Sequence, residues 1–283
     1  MIKIVPVYGG RKLRQFIDFP VKLYKGVKQF TPYIFEDEIA NLTPSKNPAS
    51  AWCDFKLFLA YDGKKIVGRI AGIISHFANK KYDQKRVRFN RIDMIDDIEV
   101  TKALIKAVEE WGYSRGMTEI VGPLGYSDQD KEGLLVEGFE YTNMFATFYH
   151  FPYYMEHLTK LGFIEDAVWV EHRIIIPKEV DPRFERISEM VQKKYNVRVK
   201  RLKSKRSMFP IVREVLSLTN RAYDHLYGYV PMSEELMDLL AKQYIPLINL
   251  KYLILVVDEN DKLVSFGLSI PSPVFALKKI KGK

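Results

Sequence analysis

Apolar and polar residues alternate through residues 2–8, the two-residue period of a half-buried strand. Leu13, Phe16, Ile17, Pro20, Leu23 and Tyr24 then recur at helical spacing, and Pro20 predicts a kink or the start of a second piece. A short helix is expected over 35–42, followed by a proline-bounded loop at 44–48. Two strand-like runs, 56–61 and 65–77, flank Asp62-Gly63-Lys64, with a glycine where tight hairpins prefer one. A further strand is expected at 86–94. Over 98–114, Val100, Leu104, Ala107, Val108 and Trp111 make one helical stripe closed by Gly116, and 118–121 returns as a strand. The connection 122–149 is long, and long connections are commonly functional. It leads into an amphipathic helix that opens at Pro152-Tyr153-Tyr154 and closes at Leu161-Gly162-Phe163, then into a strand-like run at 167–176.

After Pro177 the pattern begins again. Phe184, Ile187, Val191 and Tyr195 mark a helix, 197–202 a strand, and 208–223 and 234–244 two more helices. A second hairpin, 252–258 and 262–270, turns at Glu259-Asn260-Asp261. Strand, two helices and hairpin repeat the opening of the chain as architecture, not as sequence. The expected division is an N-terminal lobe at 1–176 and a C-terminal one at 177–283, both α/β.

Composition narrows the function classes. A chain of 283 residues with 47% hydrophobic and 28% charged content has ample material for two soluble units. Its formal charge of +9 favours anionic contacts, and CoA, acidic lipid, nucleic acid or plain solubility would each fit. The basic runs are short and no helix-turn-helix, zinc-finger or RNA-binding signature accompanies them, so no nucleic-acid partner is expected. Cys53 is the single cysteine, which excludes an internal disulfide; beside Trp52 it is expected to be a buried packing residue. Residues 1–7 lack a charged-then-apolar leader and no apolar run reaches membrane-spanning length. A cytoplasmic protein without a membrane partner is expected. His76, His150, His157 and His172 show no ligand spacing, so no metal is expected. Gly125-Tyr126-Ser127-Asp128-Gln129 misses the last glycine of a nucleophile elbow.

Several strings resemble a bacterial family of GNAT-type N-acyltransferases built from two GNAT-like lobes. They are Gly9-Gly10-Arg11-Lys12-Leu13, Phe58-Leu59-Ala60-Tyr61, Val67-Gly68-Arg69-Ile70, residues 89–97, Gly122-Pro123-Leu124-Gly125-Tyr126 and Leu135-Val136-Glu137-Gly138-Phe139. The resemblance implies tandem GNAT-like lobes with mixed, mostly antiparallel sheets flanked by helices. It also implies acyl-CoA-dependent transfer, with acetyl the expected acyl group, to a small-molecule or peptide amine. Family members are longer, so the second lobe reads as truncated. The superfamily binds the CoA pyrophosphate on a glycine-bearing loop at a helix start, where free N–H groups favour phosphate. In the first lobe that position is Ile95-Asp96-Asp97-Ile98-Glu99-Val100, with no glycine and three carboxylates. Poor CoA binding is expected there, and no CoA-binding residue is assigned.

The same resemblance places a general-acid tyrosine four residues before the glycine of Gly-Phe. Leu158 occupies that position, and Tyr154, one helical turn earlier, is the catalytic candidate in its place, with a packing or substrate-pocket tyrosine as the competing reading. Glu137, flanked by Leu134, Leu135, Val136 and Phe139, is the candidate general base, since apolar enclosure raises a carboxyl pKa; a wet helix face is the competing reading. Tyr126, Asp128 and Asp130, with Glu132, are expected to wall an amine-binding cleft, or else to be a solvated turn. Tyr227 and Tyr229, near Tyr223 and His225, are the remaining substrate-binding candidates. The competing function is a non-catalytic ligand- or partner-binding protein on a GNAT scaffold.

Overall fold

A computed structural model describes residues 1–282, and they form two compact units. Unit 1 holds Met1–Val168 together with Tyr227–Val230 and Ser272–Lys283; unit 2 holds Trp169–Leu226 and Pro231–Pro271. The expected single cut at 176/177 is therefore replaced by one at 168/169, with two later segments counted in unit 1.

Unit 1 is built on a five-stranded sheet in the order β1-β2-β3-β4-β5. β1 (Ile2–Val7), β2 (Cys53–Asp62), β3 (Lys65–Ser75) and β4 (Arg86–Met94) pair antiparallel in sequence, and β5 (Glu119–Val121) joins β4 in parallel. The two-residue period of β2 serves both faces. Phe58 and Ala60 join Val100, Leu104, Val108 and Trp111 of the crossover helix α4, while Leu57 and Leu59 meet Leu13, Phe16 and Ile17 of helix α1 on the other side. α1 runs Gly10–Leu23, α2 Phe35–Asn41, α3 His76–Lys81, α4 Ile98–Tyr113 and α5 Tyr153–Lys160. Gly68 and Gly72 let α4 lie close on β3: a Cβ at Gly68 would stand 2.8 Å from Leu104 Cδ1, and one at Gly72 2.9 Å from Trp111.

α1 runs through Pro20 without a break, so the second piece that the sequence allowed does not form. A mid-helix proline removes the bond to the carbonyl four residues earlier. Here that carbonyl, Phe16, accepts instead from Arg69 Nη1 at 3.0 Å, so the helix continues to Leu23. The strand expected at 167–176 also fails to form. Those residues join no ladder among the described residues and most are exposed, including Ile174, Ile175 and Ile176.

Unit 2 has α6 (Pro182–Tyr195), β6 (Arg198–Lys200), α7 (Met208–Tyr223), α8 (Glu234–Tyr244), β7 (Leu253–Val257) and β8 (Leu263–Leu268). Its three strands pair antiparallel in the order β6-β7-β8. Met208, Ala241, Ile245, Leu255 and Val257 centre its core. α9 (Val274–Ile280) belongs to unit 1, where Gly282 O accepts from Phe35 N–H at 2.7 Å.

Candidate functional site

The chemistry gathers on β4 and the loop after β5. Every residue of β4 after Arg86 is buried, although Arg88, Asn90, Arg91 and Asp93 alternate with apolar neighbours. A buried polar strand face must find partners or lose several kcal/mol of hydration. Two features supply them. First, Arg91 and Ile92 together oppose Ile70, a bulge with Arg91 at φ 48°, which re-aims the side chains beyond it. Second, β4 and β5 pair from Arg86↔Glu119 only as far as Arg88↔Val121, after which the chain turns at the cis Gly122-Pro123 bond. The loop then supplies the acceptors: Gly125 O takes Arg88 Nη1 at 3.0 Å and Lys131 O takes Asn90 Nδ2 at 3.0 Å.

Three groups of side chains result. In the first, Arg91 pairs with Glu38 at 2.5 Å and lies 3.6 Å from Asp130. Burial alone would raise Glu38, but the charge and hydrogen bond of Arg91, with the charges of Arg69 and Lys131, together outweigh it and hold the carboxyl low. Asp130 also accepts from Tyr126 N–H at 2.9 Å, closing the turn; Gly125 is required there, because a Cβ would stand 2.2 Å from Asp130 Cβ. Tyr126 is buried, its ring beneath the Arg91 guanidinium and edge-on to Phe55, and its hydroxyl has no hydrogen-bond partner. Cys53 is buried next to it, and burial pushes its thiol up to about 12, so it is a packing residue as expected.

The second group is Asp128, Glu132 and Arg88. Burial raises Asp128, one of whose oxygens lacks a partner while the carboxylate also takes the Val230 N–H. Burial, and then the neighbouring Asp128 charge, push Glu132 up to about 7 against the pull of Arg88. Tyr227–Val230 lies with unit 1. Within that segment the Tyr227 hydroxyl bonds Asp166, and Tyr229 O accepts from Tyr82 Oη at 2.9 Å and Lys81 Nζ at 3.2 Å.

The third group surrounds Tyr154, which is fully buried. Its hydroxyl meets Tyr24 Oη at 2.8 Å and takes the Met94 N–H at 3.2 Å. Met94 O in turn accepts from Tyr153 Oη at 2.7 Å. Asp93 accepts from Tyr24 at 3.0 Å and from Arg69 Nε at 2.7 Å. Burial lifts the Tyr154 phenol well above its ordinary range. Consecutive tyrosines of α5 thus fill the place beside β4 that β5 leaves open.

The structure brings Tyr126 and Asp130 together around Arg91, and Asp128 with Glu132, next to Val230 of the Tyr227–Val230 segment. Tyr154 lies with Tyr24 and Asp93 instead. Glu137 corrects the sequence expectation most plainly: it is exposed, on no helix, and lacks the apolar enclosure that its neighbours in sequence suggested. The enclosed carboxyl is Glu132, which owes its setting to Asp128 and Arg88, partners that sequence neighbours do not disclose. Buried Arg88 and Arg91 were signalled only by the charged alternation along 86–94.

At the start of α4, Asp97 accepts the Glu99 N–H at 2.9 Å and Asp96 lies 3.2 Å from His157 Nε2. A helix start already capped by one carboxylate and flanked by another does not fit a pyrophosphate.

Unit 1 is an α/β fold with a mixed, mostly antiparallel sheet flanked by helices, the architecture that the GNAT resemblance implied. In sequence the chain is homologous to protein YghO of Escherichia coli K12 and to the bacterial ceramide synthase of Caulobacter vibrioides. Identity to YghO is 29% over 245 residues, covering 86% of this chain and 60% of YghO. Identity to the ceramide synthase is 27% over 292 residues, covering 100% of this chain and 73% of that one. A tandem GNAT protein of clavulanic acid biosynthesis superposes over 94% of this chain and 73% of its own, with 11% identity and a TM-score of 0.49. No protein-family profile matches.

Proposed function

We propose that this protein serves acyl-CoA-dependent N-acyl transfer to an amine, with the acceptor held by the 122–150 loop of unit 1. The observation that carries the reading is Glu132, a half-buried carboxyl held at about 7 beside Asp128. An ammonium cannot attack a thioester until it loses a proton. A base with a pKa near the working pH is the efficient acceptor of that proton. Asp128, with an unpartnered oxygen, holds the ammonium; Glu132 takes its proton; the buried Tyr126 hydroxyl offers a further polar contact. The acyl thioester supplies the electrophile. The start of α4 does not place it.

The ceramide synthase relative favours a long-chain acceptor, since a ceramide is the amide of a long-chain amino alcohol. Acetyl, the acyl group expected from the resemblance, and longer chains are both to be assayed. A binding module is the second reading. It is favoured by the capped α4 and by Tyr154 occupying the Met94 N–H, which leave unit 1 without an open donor side. Thiol release from acyl-CoA decides between them. Release that requires a long-chain amine, and stops when that amine is N-acetylated beforehand, supports transfer; release that ignores the amine, or none at all, supports the binding module.

A further inference from the structure

Helix α6 has an apolar side that unit 2 does not use. Phe184, Ile187, Val191 and Tyr195 recur at three- and four-residue spacing, which puts them on one face. A stripe of that kind ordinarily faces a core. Yet no residue of α6 is buried, and Phe184 and Tyr195 are 67% and 61% exposed. Cations border the stripe: helical geometry sets Arg183 and Lys194 along one edge of it and both carboxylates, Glu185 and Glu189, farther round the helix. The basic run continues past the helix, so that residues 183–206 carry ten cations against two carboxylates, a net +8 in a chain of +9. Arg183 pairs with Asp181, and Arg198 and Lys200 share Asp261. Among the described residues Arg186, Lys193, Lys194, Arg201, Lys203 and Arg206 form no ion pair, and all six are exposed.

We propose that α6 lies on an anionic lipid bilayer, with its apolar stripe among the acyl chains and the neighbouring cations against the lipid phosphates. Exposed apolar side chains beside unpaired cations match a surface that is negative above and hydrocarbon beneath. A nucleic acid would take the cations and leave the stripe in water. A second copy would cover the stripe but set one positive run against another, and like charges across an interface oppose association. The sequence expectation of no membrane partner rested on the want of a spanning run. Among the described residues no helix is long and apolar enough to cross a membrane, but a helix lying in the interface needs no such length.

The test is flotation of the chain with vesicles of phosphatidylcholine and phosphatidylglycerol, and with vesicles of phosphatidylcholine alone. The expected result is binding to the anionic vesicles that weakens when phosphatidylglycerol is left out and when salt is raised. Phe184→Gln should weaken it about tenfold, through lost burial of one large apolar side chain. Lys193→Gln with Lys194→Gln should weaken it about fivefold or more, the share of a single cation at an anionic surface. All three side chains are exposed, so the variants should keep the wild-type Tm. No flotation, or flotation that Phe184→Gln leaves unchanged, overturns the proposal. Binding to duplex DNA in place of vesicles, or a dimer that Phe184→Gln dissociates and vesicles leave intact, overturns it too. Binding is read without turnover, so its failure leaves the acyl-transfer reading untouched.

Discussion

Glu132 and Glu137 sit five positions apart in one loop, and only their tertiary surroundings tell them apart. Glu137 has the apolar sequence neighbours; Glu132 has the half-buried Asp128 and the buried Arg88. A sequence window sees the first kind of neighbour and misses the second, which is why enclosure was expected of Glu137 and not of Glu132. Two outcomes follow for Glu132→Gln. If Glu132 is the base, the rate of amine acylation should fall about a hundred- to ten-thousand-fold. The wild-type rate should decline as pH drops below about 7. Stability should respond in the opposite sense. A carboxyl raised in the folded state costs stability as pH climbs from its unfolded value, about 4.3, through the folded one. Glu132→Gln should therefore raise the Tm at pH 8 and leave it unchanged at pH 4. A Tm lowered at pH 8 would show the carboxylate to be stabilised where it is.

Arg69 shows how far a single element depends on a distant one. Its guanidinium pairs with Asp93 and takes the Phe16 carbonyl that Pro20 leaves without a donor. The proline was legible as a helix interruption; its repair by a β3 arginine was not, because the two are far apart in the chain. Arg69→Met strips these bonds and the one from Nη2 to the Tyr33 hydroxyl, leaves Asp93 buried and without its arginine, and should cost about 3–5 kcal/mol by chemical denaturation. A loss under 1 kcal/mol would mean that water replaces the guanidinium. At the start of α4, Asp97→Ala should cost about 1 kcal/mol as the loss of an N-cap. The sheets differ as elements too. β3 is paired on both sides and buried along most of its length, whereas β8 is an edge strand of unit 2 with most side chains exposed. Hydrogen exchange should be slow across β3 and faster across β8; equal protection would show β8 to be covered in solution.

At the scale of the whole molecule, the periodicities gave α4, α7 and α8 almost to the residue, because amphipathic faces are local signals, while the short α3 and α9 were missed. The division into units was less legible. Tyr227–Val230 and Ser272–Lys283 count with unit 1 through bonds to Asp128, Lys81, Tyr82 and Phe35 that no local pattern announces. The expected strand at 167–176 stays exposed because no strand pairs with it among the described residues. Exposed segments without secondary structure are the preferred sites of proteolysis. Brief trypsin treatment should cut first after Arg173 or Lys178, both exposed outside any helix or strand; first cuts elsewhere would show the segment to be held. The central claim is N-acylation of an amine, and mass spectrometry tests it most directly. The chain is mixed with isotope-labelled acyl-CoA and a long-chain amine, and the fate of the labelled acyl group is followed. The account predicts label in an amide of the added amine, formed more slowly by Glu132→Gln. Label remaining on CoA, or appearing only as free acid, would contradict it.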